Sequence, residues 1–171
     1  MIFNLIRTTL QLEGYLSELR YPKTRIAIYI LFSVLSGVWL ATSPKAADLP
    51  ILTLTAILFG FTINAVVMLG NSAEQYLESK TNHTKQLKKY YEKSLNISIH
   101  TLGIGIITII VTSIFKLFPD FSLYSTNIKL VGQSISFELL GTTVYSLTVY
   151  YLIVFSIVIA SVAELVKIRV E

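Results

Sequence analysis

Residues 94–115 read SLNISIHTLGIGIITIIVTSIF, and this stretch carries no charged side chain. As an α-helix it is about 33 Å long, which is enough to cross the hydrocarbon layer of a bilayer. Six small residues recur along it at steps of four or three, and helical geometry places them on one face. We call these residues the hydroxyl ridge: Ser94, Ser98, Thr101, Gly105, Thr108 and Thr112. Because lipid offers hydroxyl groups no partners, we expect the ridge to face protein or water.

The whole chain has the composition of a membrane protein. It is 171 residues long, 53% hydrophobic and 14% charged, whereas soluble domains carry about 25% charged residues. Uncharged stretches predict four transmembrane helices, at 26–43, 50–70, 94–115 and 139–163. These spans leave no room for a separate soluble domain. We therefore predict an all-α integral membrane protein that forms a single membrane domain over residues 1–171.

The distribution of Lys and Arg predicts the orientation. With the N-terminus in the cytoplasm, eleven of these residues lie on the cytoplasmic side and three, Lys45, Lys116 and Lys129, lie on the other side. Loops that stay in the cytoplasm carry the excess of positive charge. The sequence therefore predicts that both termini are cytoplasmic.

Four segments lie outside the predicted spans. The pattern of residues 1–22 predicts an amphipathic helix that ends at Pro22. We expect this helix to be either an interfacial anchor or a gating or partner-docking element. Residues 71–93 continue both neighbouring helices as a cytoplasmic helical hairpin. Residues 116–138 form an outer loop, with a short β-hairpin or a cap on the leaflet expected, and residues 164–171 form a cytoplasmic tail.

Basic and aromatic side chains are concentrated at the end of the cytoplasmic hairpin. They are Lys85, Lys88, Lys89, Tyr90, Tyr91 and Lys93. Such a cluster suits contact with anionic lipid, and it equally suits a soluble cytoplasmic partner protein or a nucleotide-type ligand. We expect no sequence-specific binding to nucleic acid, because the charge is accounted for by the membrane orientation.

Two strongly polar residues lie at matched depth in the second and third spans. Asn64 precedes Gly70 by six residues and His100 follows Ser94 by six, so both lie about 9 Å below the cytoplasmic boundary. We expect a hydrogen bond or near contact between them, with Asn96 shallower on the same side. His100 either locks two helices together or lines an aqueous path and senses pH.

Other small residues in the spans predict close contacts between helices. Ser33, Ser36 and Gly37 form such a group in the first span. The remaining two spans carry one-sided rows, formed by Thr53, Gly60, Asn64 and Asn71 in the second span and by Thr142, Ser146, Ser156, Ala160 and Ala163 in the fourth.

Catalytic and cofactor-binding motifs are missing from the sequence. There is no phosphate-binding loop, dinucleotide-binding glycine motif, zinc protease motif or nucleophile elbow. The two histidines, His83 and His100, are too far apart in the predicted topology to share a metal ion. Within the spans, only His100 with serines and threonines could serve an enzyme. We therefore expect no enzymatic activity, no cofactor and no metal site.

The layout resembles that of a known group of proteins. The stretch FGFTINAVVMLGNSAEQYLESK, the lysine-rich hairpin and the polar helix LNISIHTLGIGI are similar to small four-span membrane proteins of bacterial anti-phage operons. Examples are the channel-forming subunit of Hailong systems and the membrane subunit of Kiwa systems. The resemblance implies a homo-oligomeric effector in the bacterial inner membrane that a cytoplasmic partner controls.

Two functions follow from these observations as hypotheses. The first is a gated ion-conducting channel made of several copies, with a tetramer expected, that depolarises the membrane in antiviral defence. Its pore candidates are Asn64, Asn96, His100, Ser98, Thr101, Gly105, Thr108 and Thr112. The alternative is a non-conducting inner-membrane scaffold that recruits a soluble partner through the basic cytoplasmic surface.

Overall fold

Four helices and one pair of strands make up the computed structural model, which describes residues 22–42, 50–77, 82–117, 125–130 and 133–170. The helices are α1 (Pro22–Thr42), α2 (Ile51–Leu77), α3 (Asn82–Leu117) and α4 (Leu139–Val170). The strands are β1 (Ser125–Leu130) and β2 (Gln133–Glu138). Side chains are described at residues 24, 26–42, 50–71, 90–117 and 139–163. Apart from Pro22, the predicted N-terminal helix lies outside the described residues.

Three of the helices are long and apolar enough to cross a membrane. Their apolar segments are Ile51–Asn71, Tyr90–Leu117 and Leu139–Ala163, which confirms the predicted second, third and fourth spans. The first predicted span forms the helix α1, but its apolar part, Ile26–Thr42, is shorter than the about 18 residues that a span needs. The three long segments indicate a membrane location, and the fourth crossing stays a prediction.

Proline marks the start of α1. Pro22 was expected to end the preceding helix, and in the structure it is the first residue of the next one. Proline suits this place because the first helical residues have no partner for their N–H groups within the helix.

Three helices extend well beyond their apolar segments, among them α4, which continues past Ala163 to Val170 in the predicted tail. α2 continues to Leu77, and α3 begins at Asn82, twelve residues before the predicted start of the third span at Ser94. Residues 78–81 between them lie outside the described residues. The helical continuation predicted for the cytoplasmic hairpin is therefore found on both sides of the gap.

The predicted β-hairpin of the outer loop is also found. β1 and β2 pair antiparallel, from Ser125 opposite Glu138 to Leu130 opposite Gln133. α4 begins at Leu139, directly after β2, so the hairpin leads into the last helix without a connecting loop.

The chain divides into two compact units. The first unit includes the described residues 58–77, 82–103 and 154–170, and the second includes 24–42, 50–57, 104–117, 125–130 and 133–153. Buried apolar side chains of the first unit are Leu69, Tyr91, Ile97, Val154 and Val158. In the second unit Ile51, Val144 and Tyr145 form a core against which Leu40, Ala41, Val111 and Phe115 pack.

Large apolar side chains cover much of the outer surface. On α1, Leu35 is 61% exposed and Trp39 is 71% exposed, and α2 exposes Ile57 at 54% and Phe61 at 59%. Soluble monomers rarely expose apolar surface on this scale, because water penalises it. The exposed surface therefore agrees with the helix lengths in indicating a membrane protein.

Candidate functional site

The hydroxyl ridge lies entirely on the buried face of α3. Ser94 is 3% exposed, and Ser98, Thr101, Thr108 and Thr112 are 0% exposed. Gly105 is buried as well. The side opposite the ridge carries the exposed residues Asn96, Ile99, Ile110 and Ile114. The ridge therefore packs inside the single chain.

Most ridge hydroxyls donate to the backbone of their own helix. Ser98 Oγ donates to the carbonyl oxygen of Ser94 at 2.9 Å, and Thr101 Oγ1 donates to that of Ile97 at 2.8 Å. Thr108 Oγ1 does the same with Ile104, also at 2.8 Å. A serine or threonine bonded to the carbonyl four residues earlier presents mainly its carbon atoms to its neighbours. At Ser98, Thr101 and Thr108 the ridge is thus a surface for close packing, whereas the buried Thr112 hydroxyl has no hydrogen-bond partner among the described residues.

One ridge residue connects two helices. Ser94 Oγ on α3 and Ser161 Oγ on α4 form a hydrogen bond of 2.6 Å, in which either oxygen can be the donor. Both residues are buried. Ser161 was not among the predicted site residues, although a signal was available: it lies two residues from the predicted cytoplasmic end of its span, close to the depth predicted for Ser94.

The predicted contact between Asn64 and His100 stays a prediction, because burial describes each side chain and not the distance between the two. His100 is 1% exposed, whereas Asn64 is exposed on α2 and Asn96 is exposed on α3. Matched depth fixed the position of each residue along its helix but not the direction in which its side chain points. The helix rotation places His100 inside and the two asparagines outside.

The eight predicted pore residues therefore fall into two groups. Six are buried in the chain, namely Ser98, His100, Thr101, Gly105, Thr108 and Thr112, and two, Asn64 and Asn96, are exposed. A water path that used the first group would require the chain to open, whereas the second group is available on the outside.

The exposed side of α2 carries the small and polar residues predicted to share a face. Thr53, Gly60, Asn64 and Asn71 are all exposed. The opposite side contains Thr55 and Thr62, which are 0% exposed, and the Thr55 hydroxyl donates to the carbonyl of Ile51 at 2.7 Å. A Cβ added at Gly60 would meet nothing within 4 Å. Among the described residues, the polar face of α2 is thus the uncovered side of the helix.

A close contact between α1 and α4 confirms one predicted small-residue site. A Cβ added at Gly37 would clash with Ser146 Oγ and would lie 2.7 Å from the Ser146 backbone nitrogen. Ser33, one turn earlier, is buried and donates to the carbonyl of Tyr29 at 2.7 Å. Only a residue without a side chain allows the two backbones to come so close.

A cavity of about 140 Å³ lies in the second unit. Its walls are formed by Leu40, Pro50, Ile51, Leu54, Tyr145, Thr148, Val149 and Leu152. The Thr148 hydroxyl donates to the carbonyl of Val144 at 2.8 Å, so the lining is mostly hydrocarbon. The cavity suits an apolar group and shows no set of groups for catalysis.

The basic segment is described only in part. The side chains of Lys85, Lys88 and Lys89 lie outside the described residues, while Tyr90 is 39% exposed and Lys93 is half-buried. Tyr91 is 5% exposed. Tyr91 is therefore buried and Tyr90 is the more accessible ring of the pair, while the role of both in binding a partner stays a prediction.

Among the described residues, no three histidine, aspartate or glutamate side chains come close enough to hold a metal ion.

Comparison with known proteins adds no relative to this picture. No protein family, no curated protein and no solved structure matches the chain.

Proposed function

We propose that the chain assembles with copies of itself in the bacterial inner membrane into a gated ion-conducting channel. The observation that carries the proposal is the exposed position of Asn64, inside the apolar segment Ile51–Asn71. A carboxamide has two donor hydrogens and one acceptor oxygen, and hydrocarbon pairs with none of them. Asn64 therefore requires protein or water beyond the part of its own chain that the structure describes.

The interior of a single chain is a poor route for ions. The ridge hydroxyls of Thr101 and Thr108 are fully buried and bonded to their own helix. Bundles of four helices fill their cores with side chains and leave no channel. Conduction would then run between copies, where Asn64 and Asn96 are the two predicted pore residues that lie exposed.

Control of the channel would come from the cytoplasmic side. α3 is one continuous helix from Asn82 to Leu117, so a partner that binds the basic segment would act on the same rigid element as the membrane span. A soluble protein or a nucleotide-type ligand suits the lysines there, since both carry acidic groups. In the setting that the resemblance implies, the partner would report phage infection and opening would depolarise the cell.

The continuity of α3 also supports the second candidate, a non-conducting scaffold. A helix anchored in the membrane and extended into the cytoplasm would hold a docked partner in a fixed place. This function requires the basic segment but no water path, so the two candidates differ in what their variants should do.

Recordings from planar bilayers test the channel directly. Purified full-length chain, in membranes containing anionic lipid and with nucleotides added, should give discrete current steps under applied voltage. Asn64→Leu should change the conductance or abolish it, and Ile63→Leu, at the neighbouring exposed apolar position, serves as the matched control. An assembled protein that gives no current steps at any voltage would contradict the channel. If its capture of a soluble partner is then lost on replacing Lys85, Lys88 and Lys89, the scaffold takes its place.

A further inference from the structure

We propose that α2 contacts the α2 helix of a second copy of this chain through one exposed row, Gly60, Asn64, Val67 and Asn71, which we call the α2 seam. The inference rests on the self-assembly in the proposed function and adds the surface by which it occurs. The hydroxyl ridge, which was expected to face protein or water, is occupied by the chain's own packing.

The composition of the seam separates it from the rest of the exposed helix. All four seam residues are exposed, with Val67 at 55%. On either side lie large apolar side chains that suit lipid, including Phe61 at 59%, Ile63 at 40% and Met68 at 49% exposed. The middle of the exposed face is thus formed by one glycine, two asparagines and one valine, and large apolar side chains lie on both sides of it.

The side chains of the seam can form hydrogen bonds with the same side chains on a second copy. The carboxamides of Asn64 and Asn71 each donate and accept hydrogen bonds, so the same group on a second chain satisfies both needs. A two-fold axis places identical patches against each other, which makes a self-complementary surface the ordinary basis of a homodimer contact. The seam contains no charged residue, so it offers an acidic or basic partner nothing to bind.

The geometry of the seam permits close approach. Its residues follow one another at steps of four, three and four, the spacing of a seam between two helices packed at a shallow angle. Gly60 has open space where a Cβ would be, with nothing of its own chain within 4 Å. Glycine at such a position lets two membrane helices come together, and one asparagine in the seam fixes their register.

Cysteine cross-linking tests the seam, because the natural chain contains no cysteine. Gly60→Cys and Asn64→Cys place single thiols on the seam, while Phe61→Cys and Ile63→Cys place them at the same depths but about 100° around the helix. After oxidation in native membranes, the seam variants should form a product of twice the 19.2 kDa chain mass. We expect this product to be at least about tenfold more abundant than in the control variants. Equal cross-linking at all four positions, or an adduct of another mass, would overturn the proposal.

A second measurement covers the case in which a thiol disturbs the contact. Asn64→Leu should lower the association constant of fluorescently labelled chains in detergent about tenfold, as expected for a lost hydrogen-bonded pair between membrane helices. Asn64→Gln, which keeps the carboxamide, should recover part of the loss. Unchanged association in Asn64→Leu would contradict the seam.

The outcomes for the seam and for the channel are separable. Cross-linked dimers without ionic current would retain the α2 contact and remove the channel. Ionic current without seam cross-links would retain the channel and place the contact between copies elsewhere.

Discussion

The α2 seam and the hydroxyl ridge of α3 share their spacing and differ in their surroundings. Both rows advance by steps of four and three, and both contain a glycine among small or polar residues. The ridge is buried throughout, whereas every seam residue is exposed. The comparison shows that periodicity identifies the face of a membrane helix without revealing whether its own chain or another molecule covers it.

The side-chain chemistry of the two rows explains the difference. Serine and threonine can donate to the carbonyl four residues earlier, as Ser98 and Thr101 do, so they enter an apolar core with their hydrogen bonds already made. The carboxamide of Asn64 has more groups to satisfy than its own helix can supply. A row of hydroxyl side chains can therefore be buried within one chain. A row that contains asparagine side chains needs hydrogen-bond partners from outside its own helix.

The largest effect is expected in the unfolding free energy when alanine replaces a buried glycine, and it is compared with the same change at an exposed glycine. Gly37→Ala should destabilise the fold by about 3 kcal/mol or more, because the new Cβ would meet the Ser146 backbone, which cannot move aside without shifting a helix. Gly60→Ala, with nothing within 4 Å, should leave the unfolding free energy within about 0.5 kcal/mol of the natural chain. Thermal unfolding in detergent, followed by the single tryptophan, measures both. Equal losses would contradict the packing described for α1 and α4.

The next largest effect is expected in the labelling rates of thiols placed on the two faces of α3. Asn96→Cys lies on the exposed face and Ser98→Cys on the ridge, only two residues apart. A water-soluble maleimide should label Asn96→Cys at least about tenfold faster, because a buried thiol reacts only when the structure opens. Labelling is followed by the mass of the intact protein. Similar rates in the folded protein would mean that the ridge is open to water, and the ridge would return as a pore candidate.

A smaller effect is expected for the one ridge hydroxyl that reaches another helix. Ser94→Ala should cost about 1 kcal/mol, because Ser161 keeps a buried hydroxyl without its 2.6 Å partner. Ser98→Ala removes a bond within α3 and should cost less. A double-mutant cycle of Ser94→Ala with Ser161→Ala isolates the coupling energy, which should be positive. A coupling of zero would show that the bond adds nothing to the attachment of α3 to α4.

The smallest effect tests whether the ridge acts by size. Thr108→Val keeps the shape of the side chain and removes a hydroxyl that donates to the Ile104 carbonyl, which the backbone already bonds. The change in unfolding free energy should stay under about 0.5 kcal/mol, while Thr108→Ala should cost about 1 kcal/mol through lost packing. The same unfolding assay compares them. A larger loss in the valine variant would show that the hydroxyl itself matters.

Much of the secondary structure could be predicted from the sequence. The lack of charge over 50–70, 94–115 and 139–163 is a strong signal, because a membrane helix must be long and apolar. The β-hairpin of the outer loop and the close approach at Gly37 were also foreseen. These features depend on local composition, which the sequence shows directly.

The arrangement of the site was less predictable. Depth matching suggested that Asn64 meets His100, yet the two side chains point to different surroundings. The same reasoning, applied to Ser94 and Ser161, would have found a real hydrogen bond. Depth along a helix follows from counting residues, but rotation about its axis depends on how all the helices pack together, which no single stretch of sequence specifies.

The bonding of the ridge hydroxyls within α3 has a mechanical consequence. Each of these donors travels with its acceptor, so sliding or turning α3 would leave the bonds of Ser98, Thr101 and Thr108 intact. The Ser94 to Ser161 bond would have to break in such a movement. Movement of α3 along its neighbours would therefore meet resistance from one hydrogen bond near Ser94, the ridge residue closest to the extended part of the helix, and a force applied to that part would act on this bond first.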